Sequence, residues 1–176
     1  MDKLKVGVIG LGFMGDLHAN CYSTLPNVEL VGIADQDSQK SELAKKYNTV
    51  FYNDYIELLN SDVEAVSICL PDRKHVEACC DAAKSNKHIL VEKPLAHDFI
   101  SAEKIINTCK EFNVRLMVAH ILRFDPRCVQ LFNNTSADKI GELLHIKAKR
   151  ATVIDVANRL SSTSSILYYL GVHDID

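Results

Sequence analysis

The sequence predicts an α/β protein built on a doubly wound parallel sheet, and three features carry that prediction. Short apolar runs alternate with helical patterns through the first 120 or so residues, as expected of parallel strands joined by right-handed helical crossovers. The first run, Leu4–Ile9, ends in Gly10 and passes through "GLGFMG" into a helical pattern, which reads as strand, tight turn and helix. A later run in "HILVEKPLAH" is continuously apolar and then breaks into Glu92 and Lys93. That is how a strand covered on both faces reads when its tip reaches the carboxyl edge of the sheet.

Taken in order, Leu4–Ile9 is the first strand, and residues 16–25 carry a helical pattern that Pro26 stops. Val28–Ala34 is a second strand ending at Asp35. Ser38 is placed to cap a helix through Tyr47, and Val50–Tyr52 is a brief third strand. Residues 54–60 form a short helix, 65–70 a strand, 73–85 a helix and 89–91 the strand that leads to Glu92. Residues 101–112 and 115–119 are the next helix and strand. After Ala119 the pattern changes: "HILRFDPRCVQLFNN" reads as a loop and then a helix, and "GELLHIKAKRAT" as a longer strand with partial alternation. Two units are therefore expected, a sheet domain over 1–120 and the beginning of a second α/β domain over 121–176.

Composition narrows the partners. The 20 lysines and arginines against 23 acids give a net charge of −3 with both signs interspersed, which supplies no basic stripe for nucleic acid. No apolar segment is long enough to span a bilayer, so no membrane partner is expected and the protein reads as cytoplasmic. The six cysteines include no CxxC pair and several sit inside apolar stretches, where a thiol packs as a small hydrophobe in a reducing compartment. No metal site is expected.

Gly10, Gly12 and Gly15, with Phe13 and Met14 between them, make the GxGxxG pattern. The first glycine permits the turn, the second lets a pyrophosphate approach the backbone, and the third lets helix and strand pack closely. The helix N-terminus adds N–H donors and a positive dipole. Asp35, about twenty residues further on, stands where a carboxylate accepts hydrogen bonds from the adenosine ribose. A 2′-phosphate would meet that charge, and Gln36 and Asp37 offer no arginine to offset it, so NAD is expected rather than NADP.

"GLGFMG", "CLPDRKHVEAC", "EKP" and the closing "LGVHDID", in order along the whole chain, resemble the Gfo/Idh/MocA family of oxidoreductases. The resemblance implies a Rossmann domain for a nicotinamide cofactor, then a larger α/β domain carrying a sugar or polyol pocket. It implies that Lys93 and His173 act on the substrate hydroxyl proton and that Glu92 orients the lysine or the ribose. Leu70, Pro71 and His75 match the stretch along the cofactor, with His75 either a cofactor contact or an ordinary histidine at a helix start. Pro94 suggests a cis Lys93–Pro94 bond. Arg123 is expected either to hold a substrate hydroxyl or carboxylate, or to pin the turn through Asp125.

One departure bears on the substrate. Four residues before His173, where the family carries an aspartate, this chain has Tyr169, which removes a carboxylate that would hold a polyol hydroxyl. Family members are roughly twice this long, so a fragment of a longer product, or a separate C-terminal half, is expected, the full form being a homo-oligomer. The rival to a dehydrogenase of sugars, cyclic polyols or nucleotide sugars is a catalytically inactive NAD-binding module acting as a sensor or partner subunit.

Overall fold

The computed structural model describes residues 2–136, 141–142, 144–149, 151, 153–155, 158 and 170–176. Contacts divide the chain into two compact units, Met1–Val118 and Ala119–Asp176. The first holds β1 (Leu4–Ile9), α1 (Phe13–Thr24), β2 (Val28–Ala34), α2 (Glu42–Tyr47), β3 (Val50–Tyr52) and α3 (Tyr55–Leu59). It continues with β4 (Ala65–Ile68), α4 (His75–Lys84), β5 (His88–Val91), α5 (Phe99–Glu111) and β6 (Leu116–Val118). Six strands pair in the order β3-β2-β1-β4-β5-β6, every ladder parallel. This is the doubly wound sheet the alternation predicts, with the strand order reversing between β1 and β4, the crevice where such sheets take ligands.

Period-2 alternation sends neighbouring residues to opposite faces. Val6, Val8 and Ile33 pack with Ala19 of α1 and Tyr47 of α2 in one buried cluster. Ile9, Ala34, Val66, Ile68 and Val91 belong to the other, with Leu58 and Leu59 of α3, Ala78 and Cys79 of α4 and Ile105 of α5. Both faces are covered, which is why the strands read as continuous apolar runs rather than alternating ones.

Element ends depart from the sequence expectation where a cap or a proline intervenes. The first helix starts at Phe13 rather than 16, with Gly12 as its N-cap. The turn after β2 is capped by Asp37, whose side chain accepts from the Gln39 N–H, and not by Ser38, which lies in a short 3-10 turn, Ser38–Ser41, before α2. β4 stops at Ile68 and not at residue 70, since Pro71 has no N–H to continue a ladder. The helix expected over 73–85 is a 3-10 turn, Asp72–Lys74, followed by α4. Asp98 caps α5, accepting from the Ser101 N–H at 2.7 Å, so that helix begins at Phe99.

The second unit has a 3-10 turn at Ile121–Phe124, α6 (Pro126–Ser136) and the short α7 (Val172–Ile175). The strand expected across "GELLHIKAKRAT" is a correction: the described residues 141–142, 144–149 and 151 form none. A strand needs a neighbour for its N–H and C=O groups, and no described residue pairs with this segment. Among the described residues no helix is long and apolar enough to cross a membrane.

Candidate active site

The ends of β1, β4 and β5 lie side by side at the carboxyl edge of the sheet, and ladder bonds continue past each strand to hold the loops. Gly10 N–H donates to Ala34 O at 2.8 Å, Cys69 N–H to Ile9 O at 2.8 Å, and Glu92 N–H to Ile68 O at 2.9 Å. The first residues of each loop are thus as fixed as the strands themselves.

At the glycine loop, Gly10 sits at φ +87°, a left-handed conformation that favours glycine. A Cβ on Gly15 would lie 1.8 Å from Gly10 O, whereas one on Gly12 would meet nothing within 4 Å. The loop is therefore closed where helix packs on strand and open at the middle glycine. No side chain caps the start of α1, leaving helix N–H groups at the opening. Phe13 is exposed, Met14 half-buried and Gly15 buried. A cavity of about 350 Å³ runs beside the loop, lined by Leu11, Gly12, Phe13, Asp16, Gln39 and Lys40 among others.

Asp35 follows β2 and already holds the loop. Its Oδ2 accepts from the Leu11 N–H at 2.6 Å and its Oδ1 from the Asp37 N–H at 2.9 Å. Two amide donors fix the carboxylate in one orientation while each oxygen keeps acceptor capacity. An open middle glycine, an uncapped twelve-residue helix and a carboxylate at the second strand end fit a dinucleotide.

Glu92 and Lys93 stand at the end of β5, and the Lys93–Pro94 peptide bond is cis. Glu92 is buried, 6% exposed, and its Oε2 accepts from the Lys93 N–H at 3.2 Å. Lys93 is half-buried; burial lowers its pKa and the Glu92 carboxylate opposes that shift. A lysine so placed gives up its proton more readily than one in water. Burial, aided by the Glu92 charge, pushes the neighbouring Cys69 thiol up, so this thiol stays protonated and a poor nucleophile.

His75 is 1% exposed, with Nε2 2.8 Å from Leu70 O and Nδ1 2.9 Å from Pro94 O. The ring lies between the Leu70–Pro71 loop and the Pro94–Leu95 loop, with both nitrogens against backbone carbonyls.

Sequence reasoning passed over His18, Tyr22 and Ser67. His18 Nε2 lies 3.2 Å from Glu92 Oε1, its Nδ1 lies 2.8 Å from Ser67 Oγ, and Tyr22 OH lies 2.9 Å from the same oxygen. The missed signal was spacing: His18 and Tyr22 are four apart and share a face of α1, and Ser67 is a lone hydroxyl inside an apolar strand.

In the second unit Arg123 makes a two-pronged pair with Asp176, Nε to Oδ2 at 2.8 Å and a terminal nitrogen to Oδ1 at 2.7 Å. Asp125, the partner expected from sequence, is taken by Arg127 at 2.7 Å, because Arg127 begins the next helix and its own N–H also bonds that carboxylate. His120 Nδ1 is 3.5 Å from Asp176. His173 is half-buried in α7, and Tyr169 lies outside the described residues.

The family model for an oxidoreductase family with an NAD-binding Rossmann fold matches residues 4–120. Inositol 2-dehydrogenase of Rubrobacter xylanophilus is 30% identical over 179 residues, covering 99% of this chain and 51% of that protein. A Desulfitobacterium hafniense protein described as an NADPH-dependent oxidoreductase superposes with a TM-score of 0.85 at 26% identity, over 99% of this chain and 54% of that one. Levoglucosan dehydrogenase, solved with NADH and levoglucosan, superposes at a TM-score of 0.75 and 27% identity, over 81% and 42%. The chain spans about half the length of the curated relatives it matches.

Proposed function

Because the chain belongs to the Gfo/Idh/MocA oxidoreductase family, we propose that it supplies the cofactor domain and the first part of the catalytic domain of an NAD-dependent dehydrogenase. The substrate is a secondary alcohol on a sugar, cyclic polyol or nucleotide sugar, and the domain boundary falls near residue 120. One observation carries the reading: a half-buried lysine beside a buried glutamate shares a sheet edge with an open glycine loop.

The chain's own residues do the following. Gly12 and the start of α1 receive a pyrophosphate, with Phe13 and Met14 at the mouth of the loop, and Asp35 accepts from the adenosine ribose. Leu70 and Pro71, fastened by His75, form a wall of the nicotinamide end. The nicotinamide, when bound, supplies the hydride acceptor. Lys93 takes the hydroxyl proton, its basic form favoured by burial, and Glu92 holds the ammonium in place; His173 serves as the second proton-handling group. Arg123, held by Asp176, keeps that turn of the second unit in place.

The NAD preference rests on charge. A 2′-phosphate at the ribose would face the Asp35 carboxylate in a partly dry cleft, where like charges repel strongly. Fluorescence titration with NADH and NADPH tests this. Asp35→Asn is expected to lower the NADH-to-NADPH affinity ratio roughly tenfold. Loosening of the glycine loop would weaken both cofactors alike, so the ratio isolates the charge. Equal binding of the two by the wild type overturns the preference, and binding of neither overturns the reading of the loop. With the complete catalytic domain present, Lys93→Met is expected to cost orders of magnitude in turnover with NADH affinity little changed; near-full turnover removes Lys93 from the chemistry.

A further inference from the structure

Four polar side chains run from the outer helix to the tip of β5, with 2.9, 2.8 and 3.2 Å between successive polar atoms. The Tyr22 hydroxyl has one hydrogen-bond partner among the described residues, Ser67 Oγ at 2.9 Å. Burial pushes the Tyr22 pKa up, so the phenol keeps its proton, and Ser67 Oγ is the acceptor within its reach among the described residues. Ser67 is 1% exposed, and its remaining neighbour is His18 Nδ1 at 2.8 Å. With the phenol donating, the serine proton is left for Nδ1, which then takes the bare position of the ring. The imidazole proton is left on Nε2, the nitrogen 3.2 Å from Glu92 Oε1. That carboxylate oxygen is buried and receives no aligned hydrogen bond among the described residues. The rings of His18 and Tyr22 meet edge to face at 89° with centroids 6.3 Å apart, which fixes both orientations.

We infer that Tyr22, Ser67 and His18 form a one-way hydrogen-bond relay that holds His18 as its Nε2–H tautomer, with Nε2 3.2 Å from Glu92 Oε1, making the three positioning residues for the Glu92–Lys93 pair. The functional weight of the relay rests on the proposed role of Lys93; its existence does not. Among the described residues, the groups that lie beside the carboxylate or feel its charge are His18 from α1, the Cys69 thiol beyond β4 and Lys93. The Glu92 charge raises the proton affinity of Lys93, and a ring N–H beside the carboxylate offsets part of that charge. With that N–H turned away, less of the charge is offset and Lys93 holds its proton more tightly.

Imidazole 15N NMR of the chain as it stands tests the relay. The expected spectrum places His18 Nδ1 in the unprotonated range and Nε2 in the N–H range at neutral pH. Ser67→Ala is expected to scatter the ring into a mixture of tautomers, and Tyr22→Phe, which leaves the serine its own proton, to do so less. A wild-type ring protonated on Nδ1 overturns the inference, and that measurement needs no variant to fold; so does an Nε2–H population unchanged in Ser67→Ala. The link to Lys93 is read by its acetylation rate, followed by mass spectrometry. Ser67→Ala is expected to slow the labelling roughly threefold at a fixed pH below the lysine midpoint, and an unchanged rate overturns the positioning role. Neither readout involves turnover, so a failure here is separate from a failure of Lys93 as proton acceptor, which Lys93→Met tests by itself.

Discussion

The two units differ in how far their polar groups are buried: among the described residues, the buried polar residues lie in the first and the most exposed ion-pair side chains in the second. In the first, Ser67, His75 and Glu92 are 1%, 1% and 6% exposed and lie among strand ends and helix faces, against carbonyls, hydroxyls and a ring nitrogen. In the second, the pairs Arg123–Asp176 and Arg127–Asp125 leave their arginine side chains 65% and 89% exposed. A buried polar group without partners costs free energy, so each needs neighbours held by the fold. An exposed ion pair gains little over hydration and tolerates loss. The contrast teaches where to look for chemistry in this chain: the groups that the fold keeps from water include Glu92, next to Lys93, and His75, against the Pro94 carbonyl just beyond it.

The sharpest way to break the contrast is at its covalent frame. Gly15→Ala drives a Cβ against backbone at 1.8 Å and is expected to cost on the order of 3 kcal/mol or more in urea unfolding. A loss under 1 kcal/mol would mean the loop yields. His75→Leu comes next. It removes the ring whose N–H serves a buried carbonyl, Leu70 O or Pro94 O by tautomer, and is expected to cost about 1–3 kcal/mol by thermal or urea unfolding. No loss would make the ring a passenger.

Lys93 gives a smaller effect of opposite sign. Burial lowers its pKa in the fold, so between that lowered midpoint and about 10.4, the usual lysine value, the unfolded chain binds more protons than the folded one. Stability from this group therefore rises with pH across that window. Lys93→Met is expected to lack the slope and to melt at a higher temperature than wild type below it, the trade of stability for function expected at an active site. A variant that melts lower at pH 7 would show that the ammonium helps hold the fold. The smallest effect belongs to Arg123→Ala, which is expected to leave the melting temperature within error; a drop as large as that of His75→Leu would erase the contrast between the units.

Much of the first unit was legible because it is local. β1, β2 and β3 lie where their apolar runs end, and Gly10, Gly12 and Gly15 divide the loop's labour as their spacing implies. Helix starts were less legible: at Asp37 and Asp98 the cap is set by which side chain reaches an orphan N–H, and adjacent polar residues compete for that place. Lys93 and Glu92 stood out as charges at the end of an apolar run. His18 did not, since a histidine on a helix face says nothing about the glutamate 74 positions later that it meets.

The sequence by itself determined the alternation of strands and helices, the glycine loop with its acidic partner, and the charged tip of β5, because each is written in residues close enough to obey backbone geometry and burial. The tertiary structure decided what the polar side chains are for. It set His75 between the Leu70 and Pro94 carbonyls, gave Arg123 to Asp176 instead of Asp125, and brought Tyr22, Ser67 and His18 into one chain that ends beside Glu92. Those partners are chosen by which strand ends lie side by side, and a parallel sheet sets neighbours by its crossovers, through contacts that no short stretch of chain contains.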